Sequence, residues 1–535
     1  MHLHFTTIIW TVAFAAKVNA ALAADVKAVC STLYSRYPTL LVWDPLGPEA
    51  ISSILRAENY YSAHFDYWNA ASSRNRPSCA FFPSNAEQVS FAVQTLNAHP
   101  AVRFALKSGG HNPNLGFSNV DKGVLIAFRP NSQFAYPSPD GQSVVVGAGC
   151  KWEDVYAVLE PLGKTAVGGR LGDVGVTGFV LGGGLSYLSA QYGLACDNVV
   201  SFECVLANGT VVTASSSSHP ELFFALRGGG NQYAIVTRMT LKTYDIGEHA
   251  TIWGGVRTYA AGSQSEILSA VTNFTAGNRD PKAAIIPTFN YAAILGISIP
   301  VALVFFFYDG LMPPVGVFDN FDSIMPLTDN TRRRSYGSLT NMVLGGNLKG
   351  LRFQIRENTF PNMPAEAMHA FLSDHSMLMD KKSAKGAILD LIDVRLMSFA
   401  VQPMPRGIAQ ASRAHGGGGN ALGLKPEHGD RVWVEYDIAW ASPLCDEQCP
   451  AYFVKAVESM HELHTKKYAG IAPTHYEQGD LTFVSYNPIF MNDAMYDQDV
   501  LRSYGSENYA RLRSTHEVYD QQGFFSKRQG GFKFG

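Results

Sequence analysis

The sequence as a whole carries almost no surplus of one charge sign. Lys and Arg number 42 against 45 Asp and Glu, dispersed along 535 residues for a formal net charge of −3. There is no basic stripe to meet a phosphate backbone, which argues against nucleic acid as a partner. Nucleotide-type glycine loops are missing too. No glycine cluster ends in Gly-Lys-Ser/Thr and none has GxGxxG spacing between a strand and a helix, so phosphate-loop and nicotinamide sites are set aside. No Gly-x-Ser-x-Gly elbow occurs, and the 15 histidines do not by themselves specify a Ser-His-Asp triad. Cysteine is sparse and odd in number, seven in all, so at least one stays unpaired within the chain.

Long hydrophobic runs are few. Residues 5–16, FTTIIWTVAFAA, are followed by small-residue cleavage candidates at 18–20 and 21–23, which reads as a secretory signal over 1–20 with cleavage as late as 23, although no Lys or Arg precedes it. The chain is therefore expected to be secreted or lumenal, where disulfides form. The second run, 292–308, is rich in β-branched and aromatic residues and carries Pro300 in its middle. It reads as buried strands, so no stable membrane insertion is expected.

With 46% hydrophobic residues the chain can bury a large core and divide into more than one domain. Cys30 and Cys79 flank an N-terminal helical segment over 24–74 and could staple it to the first strand. Asn273-Phe-Thr and Asn208-Gly-Thr are glycosylation sequons, the second in a tight turn. Ser84 and Glu87 have capping-box spacing before an apolar stripe of Val89, Val93 and Leu96, and strands are expected at 103–106, 124–127 and 144–147 with a helix over 152–159. Residues 168–184, GGRLGDVGVTGFVLGGG, show no helical or strand period over most of their length; backbone there must lie close to something bulky. Asn208-Gly209 joins two β-rich runs as a hairpin. The pattern changes near 250, where a domain boundary is expected, and the last fifty residues return to the first domain. Cys445, Cys449, His461 and His464 nearly match a zinc pattern, but two cysteines near a helix start and two histidines on an amphipathic helix explain them as well, and no metal is assigned.

One loop stands apart: KSGGHNPNLGFSN, residues 107–119, presents an imidazole directly after Ser-Gly-Gly. With GGR-x3-VGVTG-x3-GGGLS (168–186), YGLACDNV (192–199), ALRGGGNQYAIVT (225–237) and the tail YGSENYARL (504–512), it resembles the fungal FAD-linked oxidases of the berberine bridge enzyme-like branch of the vanillyl-alcohol-oxidase superfamily. The resemblance implies an α+β fold: a PCMH-type FAD-binding domain of two α/β subdomains over 75–248, a substrate domain with a helix-flanked antiparallel sheet over 249–480, and a C-terminal segment, 481–535, returning to the FAD domain.

It implies that His111 is bonded through a ring nitrogen to the 8α-methyl of FAD. Ser108, Gly109, Gly110, Asn112, Val174, Gly175, Gly178, Gly182, Gly183, Asn198 and Ile235 match cofactor-binding positions. Many relatives carry a second covalent anchor, a cysteine, where this chain has Leu171, so single attachment is expected. Ala234 stands where a glycine is usual. Plant relatives place a glutamate base on a substrate-domain strand; the comparable region here is read as HGGGGN, 415–420, which lacks it. Tyr486, in FVSYNP, matches a tyrosine that relatives place over the flavin and is the first catalytic candidate, with His415 and Asn420 behind it. Val174 matches the position that controls O2 access. The expected activity is hydride removal from an organic substrate, a hydrophobic secondary metabolite or alcohol, with O2 giving H2O2. The alternative is a redox-neutral isomerase or cyclase on the same fold, and a third reading is a carbohydrate-binding or structural glycoprotein that has lost catalysis.

Overall fold

The computed structural model describes residues 20–294, 297–342, 350–386, 393–479 and 488–534. Residues 1–19 of the signal expected over 1–20 lie outside them, as does Tyr486.

The chain enters as a helix over 20–36 that leads into a four-stranded sheet, in the order Leu41–Trp43, Cys79–Phe81, Val124–Ala127, Phe104–Lys107. The first pair is antiparallel and the other two are parallel. These strands read LVW, CAF, VLIA and FALK, apolar almost throughout, as strands covered on both faces must be. A Cys30–Cys79 disulfide fastens the entering helix to the second strand. The helix Ala86–Asn97 buries Val89, Val93 and Leu96. Its cap falls one residue later than the Ser84–Glu87 spacing suggests: Asn85 accepts from the Gln88 backbone N–H. Asn at this position competes well with Ser for the role.

A second, antiparallel sheet runs Ala135–Pro137, Ser143–Gly147, Ile235–Asp245, Val199–Val205, Val211–Ser215, with Lys164–Ala166 also paired to Ile235–Asp245. Gly209 turns its hairpin at φ +85°, and Asn208 accepts from the Thr210 N–H at 2.9 Å. The glycine-rich stretch is not wholly irregular. Its middle, Val176–Leu181, is a short helix whose Val176, Val180 and Leu181 point into the same core as Trp152 and Phe202.

After Asp245 the chain leaves this sheet, and from Thr251 it builds a third, eight-stranded antiparallel one. Residues 292–294 and 297–308 of the second apolar run lie in the paired strands Ala283–Ile294 and Ile297–Tyr308. One face of the sheet carries Phe289, Tyr291, Phe399, Val434, Tyr436 and Ile438 into a core with the helices Gln264–Gly277, Ala365–Gly386 and Gln448–Lys467. The opposite face, including Phe307 and Trp433, packs on the core of the second sheet. Cys445 and Cys449 form a disulfide, which removes both as metal ligands; His464, on the same helix as Cys449, is buried among Phe360 and Phe371. Cys150, Cys196 and Cys204 are buried thiols. The last residues return to the first sheet: Arg528 donates to the carbonyls of Val102, Leu96 and His99, and Phe524 and Phe525 join that core. Asn273 and Asn208 are both exposed.

Candidate active site

Strand Phe104–Lys107 ends in the histidine loop, so the loop leaves the carboxyl end of a parallel strand, the usual place for a ligand in such sheets. Lys107 is buried; its Nζ donates to the Ala63 carbonyl at 2.6 Å and lies 3.7 Å over the Tyr67 ring. Burial lowers its pKa to about 7. Gly110, at φ +76°, turns the chain so that His111 follows. The His111 ring stacks on Trp68 with centroids 5.1 Å apart, and its Nδ1 is 3.9 Å from Asp173 Oδ1.

A cavity of about 300 Å3 opens beside this loop, within the range of ligand sites. Three chain segments wall it: Ser108, Gly109, Gly110, His111 and Asn112; Arg170, Leu171, Val174, Gly175, Gly178 and Gly182; and Phe490, Met491, Asn492 and Asp493. Ile355 and Glu435 of the third sheet line it as well. Asn492 ties the segments together, donating to the Phe179 carbonyl at 3.1 Å and accepting from the Gly184 N–H at 3.1 Å.

The lining fits FAD on three observations. A Cβ built on Gly178 meets nothing within 4 Å, so this helical glycine borders open cavity rather than protein. The buried hydroxyls of Ser108 and Ser118 both line the cavity and have no hydrogen-bond partner among the described residues, a cost that a polar ligand would relieve. The apolar remainder, with Phe117, Phe128, Phe179 and Phe532, suits flat rings.

Three matched positions lie outside the lining. Gly183 turns at φ +109° against Leu422. Asn198 donates to the carbonyls of Tyr192 and Leu194 and accepts from Tyr244 Oη at 2.6 Å, so its polar atoms are engaged within the protein. Ile235 pairs with Val205 and packs in the first-sheet core, while its neighbours Ala234 and Val236 face the cavity. His415 and Asn420 are also placed elsewhere. His415 ends the helix Arg406–His415 with its ring against Tyr192, and Asn420 donates to Asp197 at 2.7 Å and Ser412 at 3.0 Å. The glycines between them wrap their carbonyls, Gly416, Gly417 and Gly419, around the guanidinium of buried Arg227.

A buried glutamate does line the cavity, outside the HGGGGN loop in which the sequence pointed to none. Glu435, on the strand Arg431–Trp440, faces the cavity. Burial holds its carboxyl well above the usual range, Asp493 and Asp437 push in the same direction, and Arg170 opposes them. Asp493 and Asp437 are raised by burial too. Gln402 donates to Asp493 at 2.8 Å and accepts from Arg170, so an Arg170–Gln402–Asp493 chain stands beside Glu435. Directly across the strand pair from Glu435 is Glu357, fully buried and raised by the same desolvation. The detectable signal was period two: VWVEYDIAW puts Trp433, Glu435 and Asp437 on one face of an otherwise apolar strand.

A family model described as an FAD binding domain matches residues 77–215. An FAD-linked oxidoreductase of Arthroderma benhamiae is 34% identical over 89% of this chain and 91% of its own length. An FAD-dependent monooxygenase of Fusarium proliferatum is 32% identical over 87% of each. Among solved structures, the xylooligosaccharide oxidase of Myceliophthora thermophila superimposes with a TM-score of 0.69 at 17% identity, covering 95% of this chain and 100% of that one. Berberine bridge enzyme gives 0.66 at 16% identity over 95% and 99%. The chain shares its fold with the xylooligosaccharide oxidase and berberine bridge enzyme, and it belongs to the fungal FAD-linked oxidoreductases.

Proposed function

We propose that the chain is an oxidase that converts an organic alcohol or hydrophobic secondary metabolite to its carbonyl counterpart, with O2 reduced to H2O2. The observation that supports this most directly is Glu435, a carboxyl aimed from the substrate sheet into the cavity that the histidine loop lines. Bound FAD would supply the hydride acceptor and pass the electrons to O2.

The chain's own residues do the rest. Glu435 in its ionised form takes the proton of the substrate hydroxyl as the C–H bond breaks, the task of a positioned general base. Arg170, held by Gln402, stabilises the ionised form of Glu435 that must be present before the proton is taken. Ser108 and Ser118 offer hydroxyls to the cofactor, His111 holds it covalently, and Leu171, in the cavity wall where relatives place a cysteine, leaves that bond single. Val174 borders the cavity on the side assigned to O2. Tyr486 is a second proton acceptor by resemblance alone. The sheet face beside Glu435, with Ala284, Ile286, Phe307 and Ile355, favours an apolar substrate body over a charged sugar acid.

Export is part of the same reading: it rests on the apolar run at 5–16 and on the two disulfides, which persist in oxidising compartments. No helix among the described residues is long and apolar enough to cross a membrane. Sugars on Asn273 and Asn208 would follow from export.

A peroxide-coupled screen of alcohols, oligosaccharides and polyketide or alkaloid intermediates tests the reading. One H2O2 per carbonyl formed is expected. Oxygen inserted into product without peroxide would place the chain with its Fusarium relative as a monooxygenase, and product formed without O2 uptake would make it redox-neutral; either overturns the oxidase reading.

A further inference from the structure

We propose that Trp68 is a positioning residue: it fixes the plane of the His111 imidazole and so governs how much flavin the protein holds covalently. The inference rests on reading His111 as the flavin anchor.

Residues 63–75 form a clip between the histidine loop and the substrate sheet. On the loop side, Lys107 Nζ donates to the Ala63 carbonyl, Trp68 N–H to the Gly110 carbonyl at 3.1 Å, Tyr67 Oη to the Ser118 carbonyl at 2.9 Å and Asn69 Nδ2 to the Pro113 carbonyl at 2.8 Å. On the sheet side, Ala70 N–H donates to the Leu351 carbonyl, Asn69 Oδ1 accepts from Phe353 N–H, and Arg74 pairs with buried Asp446. At the centre the Trp68 indole lies between two rings: 5.1 Å and 22° from His111, 4.2 Å and 24° from Phe353.

The backbone contacts fix where the loop runs but do not themselves set the rotation about the His111 Cβ–Cγ bond, a broad torsion for His. The indole face, stacked on the ring, restrains that rotation. It is itself immobilised, by its backbone bond to the Gly110 carbonyl and by buried Phe353 behind it. Phe353 belongs to the strand Arg352–Pro361, which pairs with the strand of Glu435, so one stack also sets the anchor against the proton-accepting wall.

Attachment of the kind the resemblance implies joins a ring nitrogen to the 8α-methyl carbon. The imidazole gives up its N–H proton, the methyl group a hydride equivalent, and O2 takes up both as H2O2. The ring must point a nitrogen at that carbon, and loss of such alignment costs a positioned reaction roughly 10²-fold.

The test compares wild type, H111A, W68A, W68F and W68L for total flavin, for flavin that stays on the polypeptide after acid precipitation, and for the mass of the His111 peptide. W68A is expected to bind flavin while added FAD becomes acid-resistant roughly 10²-fold more slowly than in wild type. W68F, which keeps a ring face, is expected to recover most of that rate, and W68L, which keeps only bulk, is not. Wild-type attachment in W68A overturns the proposal, and equal attachment in W68F and W68L overturns it even if W68A proves too unstable to load. Acid-labile flavin in wild type would overturn the reading of His111 and this inference with it, a result distinct from a covalent wild type with an indifferent Trp68.

Discussion

Gly109 and Gly175 touch backbone to backbone across the cavity rim. A Cβ on Gly109 would fall 2.5 Å from the Gly175 Cα and N, and one on Gly175 would fall 2.4 Å from the Gly109 N. Neither glycine is needed for a left-handed conformation; each is needed because the other is there. Gly178 differs, since its Cβ would enter open cavity. Gly175→Ala must therefore push the two loops apart, with an overpacking cost of about 1–3 kcal/mol. Gly178→Ala gains helix propensity and loses only cavity space. Expected in calorimetry and flavin assays: Gly175→Ala lowers both melting temperature and flavin content, whereas Gly178→Ala lowers flavin content without lowering the melting temperature of flavin-free protein.

His111→Ala is expected to release all flavin into the supernatant on acid precipitation, while wild type retains it on the peptide containing His111. Leu171 lies in the same cavity wall and offers no nucleophile, so no residual covalent fraction should persist. Peptide mass spectrometry checks both points.

The histidine loop and the glycine-rich segment were legible because their chemistry is local: a turn, an imidazole and the absence of side chains are written in consecutive residues. Strand Arg431–Trp440 was legible only as an apolar strand. That Glu435 faces the cavity while Tyr436 faces the helices depends on which side of the sheet meets the second core, a long-range fact. The HGGGGN loop shows the converse. Its glycines suggested approach to a ring, and the ligand they approach is the guanidinium of Arg227, nearly two hundred residues away in the chain. The cap at Asn85 was missed by one residue because Ser84 and Asn85 are both competent and only the backbone decides between them.

Cys30→Ser with Cys79→Ser opens a loop with a sequence separation of 49. In the chain-entropy model this costs roughly 4 kcal/mol. Denaturant unfolding of the double variant without reductant should show that loss, and a midpoint equal to wild type would remove the staple from the stability of the fold.

Glu435→Gln is expected to slow substrate oxidation by about 10²–10⁴-fold with flavin content unchanged, the usual loss for a general base. The wild-type rate should also rise with pH on the acid side. Burial and the neighbouring Asp493 and Asp437 raise the Glu435 pKa against the opposing Arg170, so its basic form accumulates only above the ordinary carboxylate range. The variant has no such group, and its rate should be flat across the same interval. A variant that keeps the acid limb would assign the base to another residue.

Glu357 gives the stability counterpart. Thr359 Oγ1 lies 2.8 Å from the Pro488 carbonyl and 3.1 Å from Glu357 Oε1, while Glu357 Oε2 accepts from the Phe490 N–H at 3.1 Å. A hydroxyl has one hydrogen, which the Pro488 carbonyl takes, so the Glu357–Thr359 contact is satisfied when the carboxyl itself is protonated. That agrees with a pKa raised well above normal by complete burial. A group raised on folding stabilises fully below its unfolded pKa, about 4.3, and loses that contribution as pH rises through the folded value. Glu357→Gln cannot ionise and escapes the loss. Its melting temperature relative to wild type should therefore climb between pH 4.5 and pH 8, by the equivalent of about 1.4 kcal/mol for each unit of pKa elevation spanned. Scanning calorimetry at the two pH values decides it: a difference that stays constant means Glu357 is already ionised in the folded protein.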